Sequence, residues 1–236
     1  MSPFLAEFFG TAIILVFGGG VVANVVLNKT KGNNSGWIVI SFGWAVGVFT
    51  GILIAAPFSG AHLNPAVTLA LVIVGKFSIS LLPEYVCAQL LGAMFGAFLV
   101  WLAYKKHFDA TEDGDAKLAV FCTSPNIRSY WYNVLTEVIG TYVLSLAVLY
   151  MAKPEVGLGA LSALPVAIVV LGLGLSIGGP TGYAINPARD LGPRFIHYIL
   201  PIPLKRDSDW KYSWVPILGP LLGATIAATM FVLFGG

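Results

Sequence analysis

Charge is what this chain has least of. Its 236 residues include 13 Lys or Arg and 11 Asp or Glu, so 10% of the chain is charged, against roughly 25% in a soluble domain. So few charges cannot cover a water-facing surface, and a fully soluble domain is excluded. The net charge of +2 is too small to argue for a nucleic-acid partner. Two cysteines, Cys87 in an apolar stretch and Cys122 in a polar one, make neither a disulfide framework nor a metal cluster. No metal-ligand spacing and no nucleophile–base constellation is present, so neither an enzyme nor a bound cofactor is expected. The N-terminal Met1–Phe4 carries no basic residue, and the apolar run behind it is too long for a signal-peptide core. That run is expected to be a retained first span.

What the chain has instead is long apolar blocks, which make up most of its 57% hydrophobic residues. A membrane span needs about 20 mostly apolar residues. Six segments qualify: Phe4–Leu27, Trp37–Pro57, Glu84–Tyr104, Tyr130–Met151, Leu161–Ile177 and Trp214–Phe234. Two further stretches, Asn64–Val74 and Asn186–Leu200, are too short or too interrupted to cross. Each opens with Asn-Pro, an Asn cap followed by Pro at the first helical position, which marks a helix start. They are expected to be helices that begin inside the protein. The fold class is therefore an all-α membrane protein with six transmembrane helices and two re-entrant half-helices. The connectors Asn28–Gly36, Lys105–Ser129, Lys153–Gly159 and Pro201–Ser213 are polar, and none is long enough to separate a second domain.

The sequence repeats itself. Glu7-Phe8-Phe9-Gly10-Thr11 matches Glu137-Val138-Ile139-Gly140-Thr141. Ser59 to Ala66 matches Thr181 to Ala188, and Leu90-Leu91-Gly92-Ala93 matches Leu221-Leu222-Gly223-Ala224. Three spans per half is an odd number, so the second half must enter the membrane upside down. The expectation is one domain, residues 1–236, made of inverted repeats at about 1–104 and 130–236, with the working site where the halves meet.

The paired short helices carry the chemistry. Irregular backbone survives at membrane depth only against protein or along a watery cavity. Gly60, Ala61, His62 and Leu63, and in the second half Gly182, Ala184 and Ile185, precede the helices, so their carbonyls are expected to line a path as acceptors. Asn64 and Asn186 supply amide donors where the two paths meet. Both helix N-termini bring partial positive charge to that point, which opposes protons and cations.

Two Asn-Pro-Ala triplets, Asn64-Pro65-Ala66 and Asn186-Pro187-Ala188, within such a repeat resemble the aquaporin superfamily, or major intrinsic proteins, over essentially the whole chain. The resemblance implies half-helices meeting at the midplane and a homotetramer with one pore per subunit. It also implies a multi-pass protein of the cell membrane with both termini cytoplasmic. Lys29, Lys31, Lys105, Lys106, Lys117, Arg128, Lys205, Arg206 and Lys211 would then lie outside and only Lys76 and Lys153 inside, the reverse of the usual charge bias.

Within the family, Asp190, Arg194, Pro220 and Leu221 stand where the aquaglyceroporin, or glycerol-facilitator, branch has its markers. By position, the selectivity filter is carried over onto Trp44, Gly174, Tyr183 and Arg189. Gly174 replaces the histidine that narrows water-selective pores, and its lack of a side chain is expected to widen this one. Two aromatic rings facing an Arg would take the CH side of a polyol while the guanidinium donates to its hydroxyls. Arg189 is expected to be held by carbonyls, and Glu7 and Glu137 to brace the half-helix backbone. The resemblance thus implies a passive channel for glycerol, water and related small neutral solutes. The alternatives are a water-selective pore, or one tuned to lactic acid, dihydroxyacetone or urea. An ion-coupled transporter would need an ionisable pair where the sequence has Asn64 and Asn186.

Overall fold

The computed structural model describes residues 1–151 and 159–235. Among the described residues every regular element is helical: α1 (Pro3–Val26), α2 (Trp37–Ser59), α3 (Pro65–Ile73), α4 (Leu82–Ala110), α5 (Gly114–Ala119), α6 (Tyr130–Tyr150), α7 (Leu164–Ile177), α8 (Pro187–Ile199) and α9 (Val215–Phe234). The connector residue Lys153 lies outside the described residues.

Local sequence explains the ends. Ser2 Oγ accepts from Leu5 N at 3.3 Å with Pro3 in the first turn, which starts α1. Gly60, at φ 81°, takes the left-handed conformation that stops α2. Among the described residues five helices are long and apolar enough to cross a membrane: α1, α2, α4 with its 3-10 lead-in, α6 and α9. The expected span at Leu161–Ile177 differs: α7 holds only 14 residues, preceded by a 3-10 turn at Gly159–Ala163. At roughly 1.5 Å per α residue and 2.0 Å per 3-10 residue, the two pieces together reach about 31 Å, enough for the hydrocarbon core. The connector Lys105–Ser129 is also more structured than its polarity promised. α4 runs on to Ala110, and α5 follows, capped by Asp113.

In the first half α1 packs along α2 and α4; in the second α6 packs along α9 and α7. Matched glycines permit the tightest approaches. A Cβ on Gly92 would stand 2.2 Å from Phe8 O, and one on Gly223 would stand 2.4 Å from Val138 O. These are equivalent positions of the sequence repeat, where small residues let helix backbones touch. The half-helix α3 packs against α9 and α4, and α8 against α4 and α9, so each reaches across the two halves. Large apolar side chains such as Phe9, Phe17, Phe42, Phe95, Ile168 and Ile226 are exposed around the bundle. Lipid is the solvent such a surface fits.

One end is covered by a layer of loops. Asn28 N donates to Thr111 Oγ1 at 2.9 Å, and Lys117 Nζ donates to Pro203 O at 2.5 Å. Arg128 pairs with Asp209, and Arg206 with Asp115. Lys205 Nζ closes the far end of α8 by donating to the carbonyls of His197, Tyr198 and Leu200 at 2.5–2.8 Å.

Candidate functional site

The segments before α3 and α8 share an unusual backbone. Gly60, Ala61 and Leu63 have φ of 81°, 53° and 51°; Gly182, Tyr183 and Ile185 have 83°, 37° and 44°. The same three positions of each repeat are left-handed. Non-glycine residues in that region, β-branched Ile185 above all, cost on the order of 1–3 kcal/mol each and persist only when their surroundings hold them.

Two buried carboxylates do the holding. Glu7 accepts from Ser59 Oγ (2.6 Å), His62 N (2.9 Å), Leu63 N (2.7 Å) and Gln89 Nε2 (2.8 Å). Glu137 accepts from Thr181 Oγ1 (2.7 Å), Ala184 N (3.0 Å) and Ile185 N (2.8 Å). With their N–H groups captured inward, the carbonyls of Gly60, Ala61, His62, Gly182, Tyr183 and Ala184 accept no hydrogen bond among the described residues. They are left as free acceptors.

The two ends meet through the asparagines. Asn64 Oδ1 accepts from Ala66 N at 2.9 Å, and Asn186 Oδ1 accepts from Ala188 N and Arg189 N at 3.0 and 3.2 Å. Asn64 Nδ2 donates to Ile185 O at 2.8 Å, and Asn186 Nδ2 to Leu63 O at 2.9 Å. The carbonyls of Leu63 and Ile185, expected as free acceptors, are therefore engaged across the midline. Each asparagine amide keeps one N–H free. Pro65 and Pro187 occupy first-turn positions, and Ala66 and Ala188 are fully buried behind the caps.

Two cavities flank a constriction. The inner one, about 290 Å³, is lined by Gly60, Ala61, His62, Leu63, Asn64, Ala184, Ile185 and Asn186 on one wall. Ile14, Val48, Ile52, Leu144, Val148, Val166 and Val170 form the apolar wall facing them. The outer one, about 870 Å³, opens under the loop layer and includes Gly182, Thr123, Arg128 and Arg206. Trp44, Tyr183 and Arg189 line both, and so mark where the two meet. The Arg189 guanidinium carbon lies 4.0 Å from the centre of the Trp44 ring, a close cation–π contact. No carbonyl accepts from that guanidinium among the described residues, which corrects the expectation that carbonyls hold it. Its donors stay available to the passage.

Gly174 lines neither cavity. A Cβ there would stand 2.8 Å from Tyr183 Cζ and 2.9 Å from Tyr183 Oη. The space vacated by a histidine side chain is thus filled by the phenol, so Gly174 seats an aromatic ring beside the passage and does not open the passage itself. Asp190 and Arg194 also stand off the path. Both are fully buried and paired at 2.7 Å. Asp190 accepts from Thr123 N and Oγ1, and Arg194 donates to the carbonyls of Thr123, Ser208 and Asp209. They tie the loop layer to α8. Pro220 is buried inside α9, and Leu221 packs beside the α3 residues Ala66 and Ala70; neither lines either of these two cavities.

Sequence reasoning missed several partners. Ser59 and Thr181 keep a hydroxyl at one repeat position, which was a legible sign of the carboxylate brace. Gln89 aligns with Pro220, so nothing in the repeat pointed to it as the fourth donor to Glu7. Gly18 lies against Trp44: a Cβ there would stand 2.2 Å from its ring. His197 is fully buried with Nδ1 2.8 Å from Ser208 Oγ.

Comparison with known proteins agrees with this geometry. The sequence model of the family described as Major intrinsic protein matches residues 1–231. A Thermotoga maritima protein named "Probable glycerol uptake facilitator protein" is 55% identical over 231 residues, covering 98% of each chain. The "Glycerol uptake facilitator protein" of Streptococcus pneumoniae strain R6 is 46% identical, covering 99% of this chain and all of its own. The X-ray structure of the aquaglyceroporin from Plasmodium falciparum superposes with a TM-score of 0.85 at 32% identity, covering 97% of this chain and 93% of that one.

Proposed function

Because the chain belongs to the major intrinsic protein family, we propose that it is a passive membrane channel for glycerol, water and related small uncharged solutes, closed to ions and protons. The observation that carries this reading is the constriction of Trp44, Tyr183 and Arg189 shared by the two cavities. Relatives named for glycerol uptake support the choice of solute.

The route follows from the chemistry of the walls. A polyol has a CH side and a hydroxyl side. At the constriction its CH side lies on the rings of Trp44 and Tyr183, and its hydroxyls accept from Arg189. Its hydroxyls donate to the carbonyl of Gly182 before the constriction and, beyond it, to those of Tyr183 and Ala184. At the centre they accept from the free N–H of Asn64 and of Asn186. They then donate to the carbonyls of His62, Ala61 and Gly60, while Ile14, Val48, Leu144 and Val170 face the carbon chain. Each hydrogen bond to water is exchanged for one to protein, so no large barrier or trap forms.

A cation meets the opposite conditions. A unit charge about 4 Å from the Arg189 guanidinium is opposed by roughly 4 kcal/mol at an effective dielectric near 20. The N-termini of α3 and α8 add about half a positive charge each at the centre. Asn64 and Asn186 turn N–H groups toward the path, so a water there is oriented as acceptor from both, which breaks a proton-conducting chain.

Asp190 and Arg194 serve at a distance in this reading: they fix the loops that shape the outer cavity. Glu7 and Glu137 remain structural, since every donor they accept from is a backbone N–H or a neutral side chain. The protein is further read as a homotetramer with one pore per subunit, with both termini in the cytoplasm and the loop layer outside. Native mass spectrometry and labelling of Asp115→Cys from the outside test those two points. The function itself is tested by liposome swelling in a glycerol gradient, which the protein should accelerate; acceleration with water alone would refute the glycerol reading.

A further inference from the structure

The filter tyrosine carries a hydroxyl that does not face the passage. Tyr183 Oη is fully buried and has no hydrogen-bond partner among the described residues. The ring is wedged between two helices. On the α7 side it fills a notch at Gly174 and Gly178, where added Cβ atoms would come within 2.8 and 2.7 Å of it. On the α2 side Trp37 meets it edge-on, with ring centres 6.0 Å apart, and Trp37 Nε1 donates to Gly174 O at 2.7 Å. The polar side chain beside the phenol is Ser41. The Cβ position of residue 174 is 2.9 Å from Tyr183 Oη and 3.0 Å from Ser41 Oγ, so both oxygens border one small space.

Ser41 is fully buried, and its hydroxyl donates to Trp37 O at 3.0 Å. Toward Tyr183 it can therefore only accept, and the phenol can only donate. Ser41 lies on the same face of α2 as Trp37, four residues before it, and Trp44, three after it. One helical stripe thus touches the far end of the Tyr183 ring and also supplies the opposite wall of the constriction.

We propose that Ser41 is a positioning residue for solute choice: its oxygen draws the Tyr183 hydroxyl into the Gly174–Gly178 notch and so fixes the width of the slot between Tyr183 and Trp44. With Ser41 truncated, the buried hydroxyl loses the acceptor that borders its notch, and the ring gains by turning its oxygen toward Arg189 and the water of the passage. The slot then narrows for a polyol more than for water. The inference rests on the reading of this passage as the glycerol path.

The test is stopped-flow light scattering on proteoliposomes matched for protein content, reading glycerol and water permeability separately. Ser41→Ala should lower the glycerol-to-water ratio at least ~3-fold, the effect of orphaning one buried hydroxyl. In a Tyr183→Phe background, which has no phenol hydroxyl, adding Ser41→Ala should change the ratio no further. Ser41→Cys, similar in volume but a weak acceptor, repeats the comparison if the alanine variant does not assemble. An unchanged ratio in Ser41→Ala overturns the proposal. So does an equal drop in both backgrounds, which would make Ser41 a packing residue only. Absence of glycerol flux in the unsubstituted protein would instead remove the glycerol reading itself.

Discussion

Asn64 Nδ2 donates to the Ile185 carbonyl at 2.8 Å, so the cap of the first half-helix is also a strut into the backbone that leads to the second. Asn186 returns the bond to Leu63 O at 2.9 Å. The two halves are therefore locked at the point where a solute is to be offered donors. Asn64→Asp would set a carboxylate oxygen against the Ile185 carbonyl and remove the donor. The expected result is loss of glycerol flux, weaker exclusion of cations, and a stability loss of about 1–3 kcal/mol. Flux and a cation-sensitive dye in the same liposomes check both; a tight, fully conducting variant would contradict it.

Glu137 holds its segment with both oxygens, accepting from one hydroxyl and two backbone N–H groups. Glu137→Gln keeps the shape but turns an NH2 toward one or more of those donors. The left-handed Ile185 then loses part of what offsets its strain. We expect a lower unfolding temperature in detergent and reduced flux. Glu7→Gln should show the same sign.

Asp190 and Arg194 form a fully buried pair. Asp190→Ala leaves the guanidinium uncompensated and Thr123 without its acceptor, a loss of about 3–5 kcal/mol. Replacing both residues by apolar ones of similar size should cost less than either single change. Denaturation of the four proteins in one detergent measures this; additive losses would contradict it.

Asp209 lies in the loop layer that covers one end of the bundle. Burial works to raise its carboxyl, but the hydrogen bond and charge of Arg128, with Arg194 and Arg206 nearby, outweigh this and hold it below its ordinary value. A depressed carboxylate stabilises the folded state above its unfolded pKa and loses that contribution as pH falls through its folded value. This pair should leave stability flat from about pH 5 to 8 and weaken it only below about pH 4. Unfolding midpoints across that range, with Asp209→Asn as reference, check it.

Much of this was legible because the governing interactions are local or repeated. Asn-Pro at a helix start is read within four residues, and α3 and α8 begin at Pro65 and Pro187. Apolar runs show spans, although α7 is shortened by a 3-10 turn that composition does not reveal. What stayed hidden depends on which way a side chain leans. Gly174 looked like an opening because a glycine adds no volume, yet Tyr183 fills the space it leaves. Arg189 was expected against carbonyls and lies over Trp44. That contact brings a residue of α2 onto the first turn of α8, which no local pattern encodes.

The same packing makes Gly174→Ala informative. Its Cβ would press on Tyr183 Cζ at 2.8 Å and on Ser41 Oγ at 3.0 Å. The ring is expected to shift toward Trp44 and cut glycerol flux more than water flux. Gly174→His should do so more strongly. An increase in glycerol flux from either substitution would show that the ring does not border the path.

The most direct test of a glycerol channel is stopped-flow light scattering of liposomes holding the unsubstituted protein, in a glycerol gradient and in an impermeant-solute gradient. Glycerol entry well above that of protein-free liposomes, linear in concentration and independent of ion gradients, is the predicted result. Water permeation with glycerol entry no faster than through bare lipid would contradict it.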